Sequence, residues 1–215
     1  MENPFEIVAK YNLQPILSVL QIGASGGQEI PLFKSNGVIH AAMIEPLNYP
    51  FEILSANING YKNYLPIQSA VGAKDGETVT FYVANNGGQS SSILKPAKHL
   101  SAFPNVEFNE SFTTISFTLD TISRSIKANN ITFPNNYDLI YVDVQGAELE
   151  IFKGANQCLL TSKYIFTEVG FGGGYENDVS YLRLNHYLDA FGYKLLILNI
   201  NPNNGYGDAF FMRVE

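Results

Sequence analysis

Short apolar runs alternate with segments whose apolar residues recur every three or four positions. The runs "SVLQIG" (18–23), "HAAMIE" (40–45), "LPIQSAVG" (65–72), "DLIYVDV" (138–144), "KYIFTEV" (163–169), "YKLLIL" (193–198) and "DAFFMRV" (208–214) are rich in Val, Ile, Leu, Phe and Tyr. Their length and near-continuous apolar character predict strands covered on both faces. Between them, "PFEILSANI" (50–58), "GAELEIFKGA" (146–155) and "DVSYLRLNHYLDAFG" (178–192) predict helices. Asp178 is the expected N-cap of the last helix and Gly192 its stop. The alternation predicts an α/β domain with a mostly parallel, seven-stranded sheet.

The end of the chain departs from that rhythm. "YKLLILNINPNNGYGDAFFMRV" leaves no room for a crossover helix and places Pro202, Asn203, Asn204 and Gly205 between its two runs. It predicts an antiparallel hairpin. A small β insertion is expected between the third and fourth main strands, where "TVTFYV" (78–83) and "FTTISFT" (112–118) alternate in polarity around a Gly/Ser-rich loop.

At 215 residues, 46% hydrophobic and 13% aromatic, the chain has material for one large core and is read as a single domain over 1–215. Its net charge of −7, with 13 scattered Lys and Arg, argues against a protein that grips nucleic acid through phosphates. No apolar run reaches the length of about 18 residues that a membrane span needs, and "MENPFEIVAKYNLQ" lacks the basic start and apolar centre of a signal peptide. The expectation is a cytoplasmic protein without a membrane or nucleic-acid partner; the sequence sets no oligomeric state. Cys158 is the sole cysteine and reads as a small buried hydrophobe.

Candidate chemistry begins after the first strand. "GASGG" (23–27) matches the G-x-S-x-G pattern of a hydrolase elbow, with Ser25 as nucleophile. Position opposes that reading, because too little chain precedes Ser25 to supply an oxyanion donor, and His186 lies in a helical pattern. The dinucleotide fingerprint G-x-G-x-x-G also fails, since Ser25 and Gln28 replace its second and third glycines. What remains is a strand ending at Gly23, a turn of small residues, and a helix start able to receive an anion. Glu45 ends the second strand, where a carboxylate accepts hydrogen bonds from ribose hydroxyls in doubly wound sheets. Together these features indicate an adenosine-bearing ligand without pyrophosphate. The alternative is purely architectural, with glycines that shape a turn and a solvated strand-end carboxylate.

The run "DLIYVDVQGAELEIFKGA" (138–155) resembles the signature of FkbM-type S-adenosylmethionine-dependent methyltransferases, in which a strand passes through D-V-E-G-A-E-L into a helix ending K-G-A. Further segments match in order: "QIGASGG", "IEPLNYPFEIL", "QSAVGAKDGETVTFYV", "GQSSSIL", "FTLDTI", "FTEVGF" and "GDAFFM". The resemblance covers nearly the whole chain. It implies a Rossmann-like class I methyltransferase fold, S-adenosylmethionine as cofactor, and a hydroxyl of a glycan or other polyhydroxylated small molecule as acceptor. Cofactor contacts are implied for Gln21, Ile22, Gly23, Ala24, Ser25, Gly26, Gly27, Glu45, Pro46, Ser69, Ala70, Val71, Asp143 and Val144. Two positions depart from the pattern: Gln21 stands where the family carries an acid, and Gln145 stands for the Glu of D-x-E-G. Neither amide can pair charge with an ammonium or act as a base.

Methyl transfer to oxygen requires alignment of donor and acceptor and removal of a hydroxyl proton. Ligands in such sheets lie at the carboxyl ends of strands, which selects Asp143 and Glu168. Glu148 joins them as a motif residue, and His99 as a neighbour of the Gly/Ser loop, so the catalytic candidates are Asp143, Glu168, Glu148 and His99. Helix-dipole acids and a structural histidine are the competing readings. Acceptor contacts are expected from Gln89, Ser90, Ser91, Ser92, Gln145 and Glu168, the serines also reading as a plain surface loop. No metal is required by the pattern, although Asp143 and Glu168 offer oxygen ligands for a magnesium ion. Two rival functions stand beside O-methyl transfer: methylation of an amine or carboxylate, and a catalytically silent cofactor-binding subunit.

Overall fold

The first apolar run passes through the middle of the molecule, and every residue from Ser18 to Ile22 is buried. The computed structural model describes residues 2–130 and 132–214. Among these, the strands in chain order are β1 (Ser18–Ile22), β2 (His40–Ile44), β3 (Tyr64–Ile67), β4 (Ala70–Val71), β5 (Glu77–Val83), β6 (Glu110–Phe117), β7 (Leu139–Val142), β8 (Tyr164–Gly170), β9 (Tyr193–Ile200) and β10 (Tyr206–Arg213). The helices are α1 (Pro4–Lys10), α2 (Ile30–Ser35), α3 (Asn48–Ile58), α4 (His99–Ala102), α5 (Leu119–Asn129), α6 (Glu148–Lys153), α7 (Asn156–Thr161) and α8 (Tyr181–Asp189).

The main sheet has the order β3-β2-β1-β7-β8-β10-β9. Its pairs are parallel except around β10, which runs antiparallel to both β8 and β9. The expected α/β fold with a C-terminal hairpin is therefore what the chain forms. Alternating side chains divide the core between the two faces. Leu20, Ile22, Ile140 and Val142 pack with Ile122, Phe152, Leu159 and Leu184 on one side. Val19, Met43 and Leu139 pack with Phe5, Phe33 and Leu54 on the other.

Register decides where a site can form. Ile22 pairs with both Ile44 and Val142, so β1, β2 and β7 end at one level. The order reverses between β2 and β7 on either side of β1, and a crevice opens at such a switch point.

Several sequence expectations need correction. The run 65–72 is two strands, not one: β3 closes an edge of the main sheet, whereas β4 pairs with β6 in a three-stranded sheet with β5. Polar Gln68 and Ser69 stand at the break, and the Gln68 amide donates to Asn48 Oδ1 at 2.6 Å. Asp178 does not cap α8, whose N-cap is Ser180. Its carboxylate instead accepts the backbone N–H groups of Gly173, Gly174 and Tyr175. The helix after the glycine turn starts only at Ile30, with Glu29 in the cap position, so no helix N-terminus opens at Gly23. Helices α5 and α7 were not expected; Ser, Thr and Asn residues mask the Leu119, Ile122 and Ile126 stripe of the first. No helix among the described residues is long and apolar enough to cross a membrane.

Candidate active site

A cleft of about 430 Å³ lies at the carboxyl ends of β1, β2 and β7. The residue that follows each strand faces it: Gly23, Glu45 and Asp143. Gly23 adopts φ +79°, and a Cβ there would lie 1.8 Å from the Asp143 carbonyl oxygen. Only glycine permits this approach of the loop to the end of β7.

Glu45 is 5% exposed and accepts two backbone hydrogen bonds, from Ser25 N at 2.9 Å and Leu47 N at 2.9 Å. The residue at the end of β2 thus ties down the loop after β1. Burial pushes its carboxyl up to about 7, against the two N–H groups that favour the charge. Each carboxylate oxygen has a second lone pair for a ligand. Ser25 holds φ +44°, a strained value of the kind found at a nucleophile elbow. Its hydroxyl, however, meets the Gln28 amide at 3.4 Å, and among the described residues no histidine or carboxylate is hydrogen-bonded to it as a base.

At the end of β7, Gln145 adopts φ +56° and donates from Nε2 to Asp143 Oδ1 at 2.9 Å and to Glu168 Oε2 at 2.8 Å. One amide therefore bridges two carboxylates. Asp143 is exposed at the cleft, and desolvation by the protein packed around its carboxyl raises it above the ordinary range, opposed by the Gln145 hydrogen bond. Glu168 is raised further, first by burial and then by the charges of Asp143 and Glu148. Glu148 accepts from Gly146 N at 3.1 Å and is pushed up to about 7, chiefly by burial.

The sequence-derived candidates divide by position. Ile22, Gly23, Ser25, Glu45, Pro46, Ser69, Val71, Gln89, Ser90, Ser91, Asp143, Val144 and Gln145 line the cleft. Gln21, Ala24, Ala70 and Ser92 are buried away from it, the Ser92 hydroxyl lying 3.4 Å from the Val144 carbonyl. Gly26 and Gly27 face a second groove on the far side of the loop, where an added Cβ would strike Ile53 or Ile30. They let the loop lie close against Ile30 of α2 and against Ile53 and Leu54 of α3. Glu148 and Glu168 lie around a smaller crevice beside Tyr206.

His99 is set apart more firmly. It is 3% exposed and packed among Phe103, Phe108 and Tyr175, with ring centroids 4.8 to 5.7 Å away. Burial lowers its pKa. It does not face the cleft and supports Tyr175, whose hydroxyl donates to the Ser90 carbonyl at 2.8 Å. Ser90 and Ser91 line the cleft, but their hydroxyls hold the loop: Ser91 Oγ accepts from Ala84 N and Ser90 Oγ from the Asn86 amide, both at 2.9 Å.

Residues not anticipated include Glu29, Phe81, Asn86, Ile93 and Ile151. Glu29 carried a signal, being a carboxylate just beyond a glycine turn. The apolar wall assembles from distant segments and carried none. Among the described residues no group of three or more His, Cys, Asp or Glu side chains is arranged around a metal position. Asp143 and Glu168 do not fit a resident cation as they stand, because the Gln145 amide places N–H donors between them.

This sheet order, with a cleft at the ends of β1 and β7, defines a class I methyltransferase fold. The chain is similar to a SAM-dependent methyltransferase from Aquifex aeolicus, at 14% identity and a TM-score of 0.51 over 99% of this chain and 90% of that one. It is likewise similar to magnesium protoporphyrin IX methyltransferase from Synechocystis PCC 6803, at 9% identity and a TM-score of 0.50 over 97% of this chain and 74% of that one. Residues 21–195 match the methyltransferase FkbM domain, and the chain belongs to that family. Among curated proteins it is 26% identical over 141 residues to the 2-O-methyltransferase NoeI of Sinorhizobium fredii, covering 66% of this chain and 51% of that protein. The chain spans about half the length of that relative.

Proposed function

We propose that the chain is an S-adenosylmethionine-dependent O-methyltransferase acting on a hydroxyl of a sugar or other polyhydroxylated small molecule. The observation that carries the reading is the convergence of Gly23, Glu45 and Asp143 on one cleft at the switch point of the sheet. Glu45 is suited to hold ribose hydroxyls, because its oxygens already accept one N–H each and retain acceptor capacity. Leu47, Val71, Phe81, Ile93 and Ile151 add the apolar lining that a purine base requires. The FkbM membership and the similarity to the Sinorhizobium 2-O-methyltransferase support O-methyl transfer.

S-adenosylmethionine, when bound, supplies a sulfonium methyl group open to in-line displacement. The chain must then align the acceptor oxygen and take its proton. Asp143 faces the cleft, and its raised pKa makes its carboxylate a better proton acceptor than an ordinary aspartate. Gln145 orients it by holding one oxygen. Glu168, at the other end of that bridge, accepts the second Gln145 N–H bond and so helps fix the amide that orients Asp143.

The reading is tested by incubating the protein with S-adenosylmethionine and a panel of oligosaccharides and polyols, with products analysed by mass spectrometry. A methyl ether on a glycan is the expected product. Methylation of an amine or carboxylate contradicts the acceptor class. A specific observation favours the silent-subunit alternative, since the Gln145 amide already occupies one oxygen of Asp143 and one of Glu168. Cofactor binding without turnover on any acceptor would establish it.

A further inference from the structure

Gln21 in β1 stands where the FkbM resemblance implies an acid, and it is 1% exposed and does not line the cleft. Its amide nonetheless has a clear partner: Nε2 donates to Glu29 Oε2 at 2.8 Å. Glu29 does line the cleft, together with Asp143. It occupies the N-cap of α2 but forms no capping hydrogen bond with its side chain. The carboxylate is held toward β1 by Gln21. The other atom of the same amide, Gln21 Oε1, is buried without a donor. The Glu29 carboxylate, facing the cleft with acceptor capacity left over from the Gln21 bond, suits a ligand group that only donates.

We propose that Glu29, positioned by Gln21, receives the α-ammonium group at the methionine end of S-adenosylmethionine, supplying from the cap of α2 the negative charge that β1 lacks. The inference rests on the cofactor reading above. An ammonium carries three N–H donors and one positive charge, which match the Glu29 carboxylate and leave donors for a neighbouring acceptor. Burial and the charge of Asp143 raise the Glu29 carboxyl, so a cation at this end relieves repulsion between the two acids. Gln21 is a positioning residue in this account, since it reaches the ligand end of the cleft through Glu29.

Two ligands separate this role from a general one. S-adenosylhomocysteine carries the amino-acid end, whereas 5′-methylthioadenosine has the same nucleoside without it. Calorimetric affinities for both are measured with the wild-type protein, Glu29→Gln, Gln21→Ala, and the exchanged pair Gln21→Glu with Glu29→Gln. Glu29→Gln is expected to weaken S-adenosylhomocysteine by about tenfold or more, the range for loss of a charge-assisted hydrogen bond, and to leave 5′-methylthioadenosine unchanged. Gln21→Ala should weaken S-adenosylhomocysteine selectively as well, and the exchanged pair should recover part of the loss. Unchanged S-adenosylhomocysteine affinity in Glu29→Gln, or an equal loss for both ligands, overturns the proposal and leaves the cofactor reading intact. If neither ligand binds the wild-type protein, the cofactor reading itself falls, and this inference with it.

Discussion

The backbone N–H of Ser25 donates to Glu45 at 2.9 Å, which couples the loop after β1 to the carboxylate at the end of β2. One side chain thereby shapes the cleft and offers acceptors to whatever enters it. Glu45→Ala removes both contributions. It is expected to weaken S-adenosylhomocysteine binding by about 1–3 kcal/mol, measured by calorimetry. An affinity within error of wild type would remove Glu45 from the ribose role.

Gly23 and Gly37 both adopt positive φ, +79° and +76°, but only the first meets a neighbour on gaining a Cβ. Gly37→Ala should cost only the backbone penalty, about 1–2 kcal/mol. Gly23→Ala must also displace the Asp143 carbonyl and is expected to destabilise by more than about 3 kcal/mol, or to abolish folding. Denaturant melts of the two variants compare the effects directly, and equal losses would contradict the close approach of β1 and β7.

Glu148 gives the fold a pH dependence of defined sign. Its folded-state value of about 7 lies above the ordinary 4.5, so the folded chain binds this proton more tightly than the unfolded chain does. The stabilisation is fully present below about 4.5 and is lost as pH rises toward about 7. The shift corresponds to something on the order of 3 kcal/mol. Glu148→Gln keeps an acceptor for Gly146 N without the charge. Thermal melts between those limits should show a flatter profile for the variant, with higher relative stability above neutrality. A profile identical to wild type would contradict the assignment.

Asp143 and His99 are expected to behave oppositely. Asp143→Asn leaves the shape of the cleft but removes a proton acceptor, and methyl transfer should fall by more than about tenfold. His99→Phe nearly conserves volume inside an aromatic cluster away from the cleft and should change transfer by less than about threefold. Steady-state rates on an accepted substrate decide the matter. A silent His99→Phe with an unimpaired Asp143→Asn would move the base elsewhere.

The sheet was legible because its strands are apolar on both faces and its turns carry Gly, Asn and Pro. The hairpin from Tyr193 to Arg213 is legible in its short connection and in the Pro202, Asn203, Asn204 and Gly205 turn residues within it. Helix α5 was hidden because its solvent face is rich in Ser, Thr and Asn, residues with modest helix propensity. Within the site, Glu45 and Asp143 were legible because each follows a strand directly. Glu29 was legible only as a carboxylate just beyond the glycine turn, since its orientation is fixed by the Gln21 amide, a contact across eight positions set by tertiary structure. His99 misled for the same reason, since proximity to a Gly/Ser loop in sequence does not show which way a ring points. Gly26 and Gly27, expected either as ligand contacts or as turn-shaping residues, face a second groove and lie close against Ile53 and Ile30.

Under the proposed function, the cleft joining Gly23, Glu45 and Asp143 holds the adenosine and amino-acid ends of S-adenosylmethionine. Calorimetric titration of the purified chain with S-adenosylhomocysteine, beside NAD, tests it most directly. The account predicts micromolar binding of S-adenosylhomocysteine, on the order of −8 kcal/mol, with no heat from NAD. Failure of S-adenosylhomocysteine to bind a folded preparation would contradict it, and would leave the glycine turn and Glu45 as architecture alone.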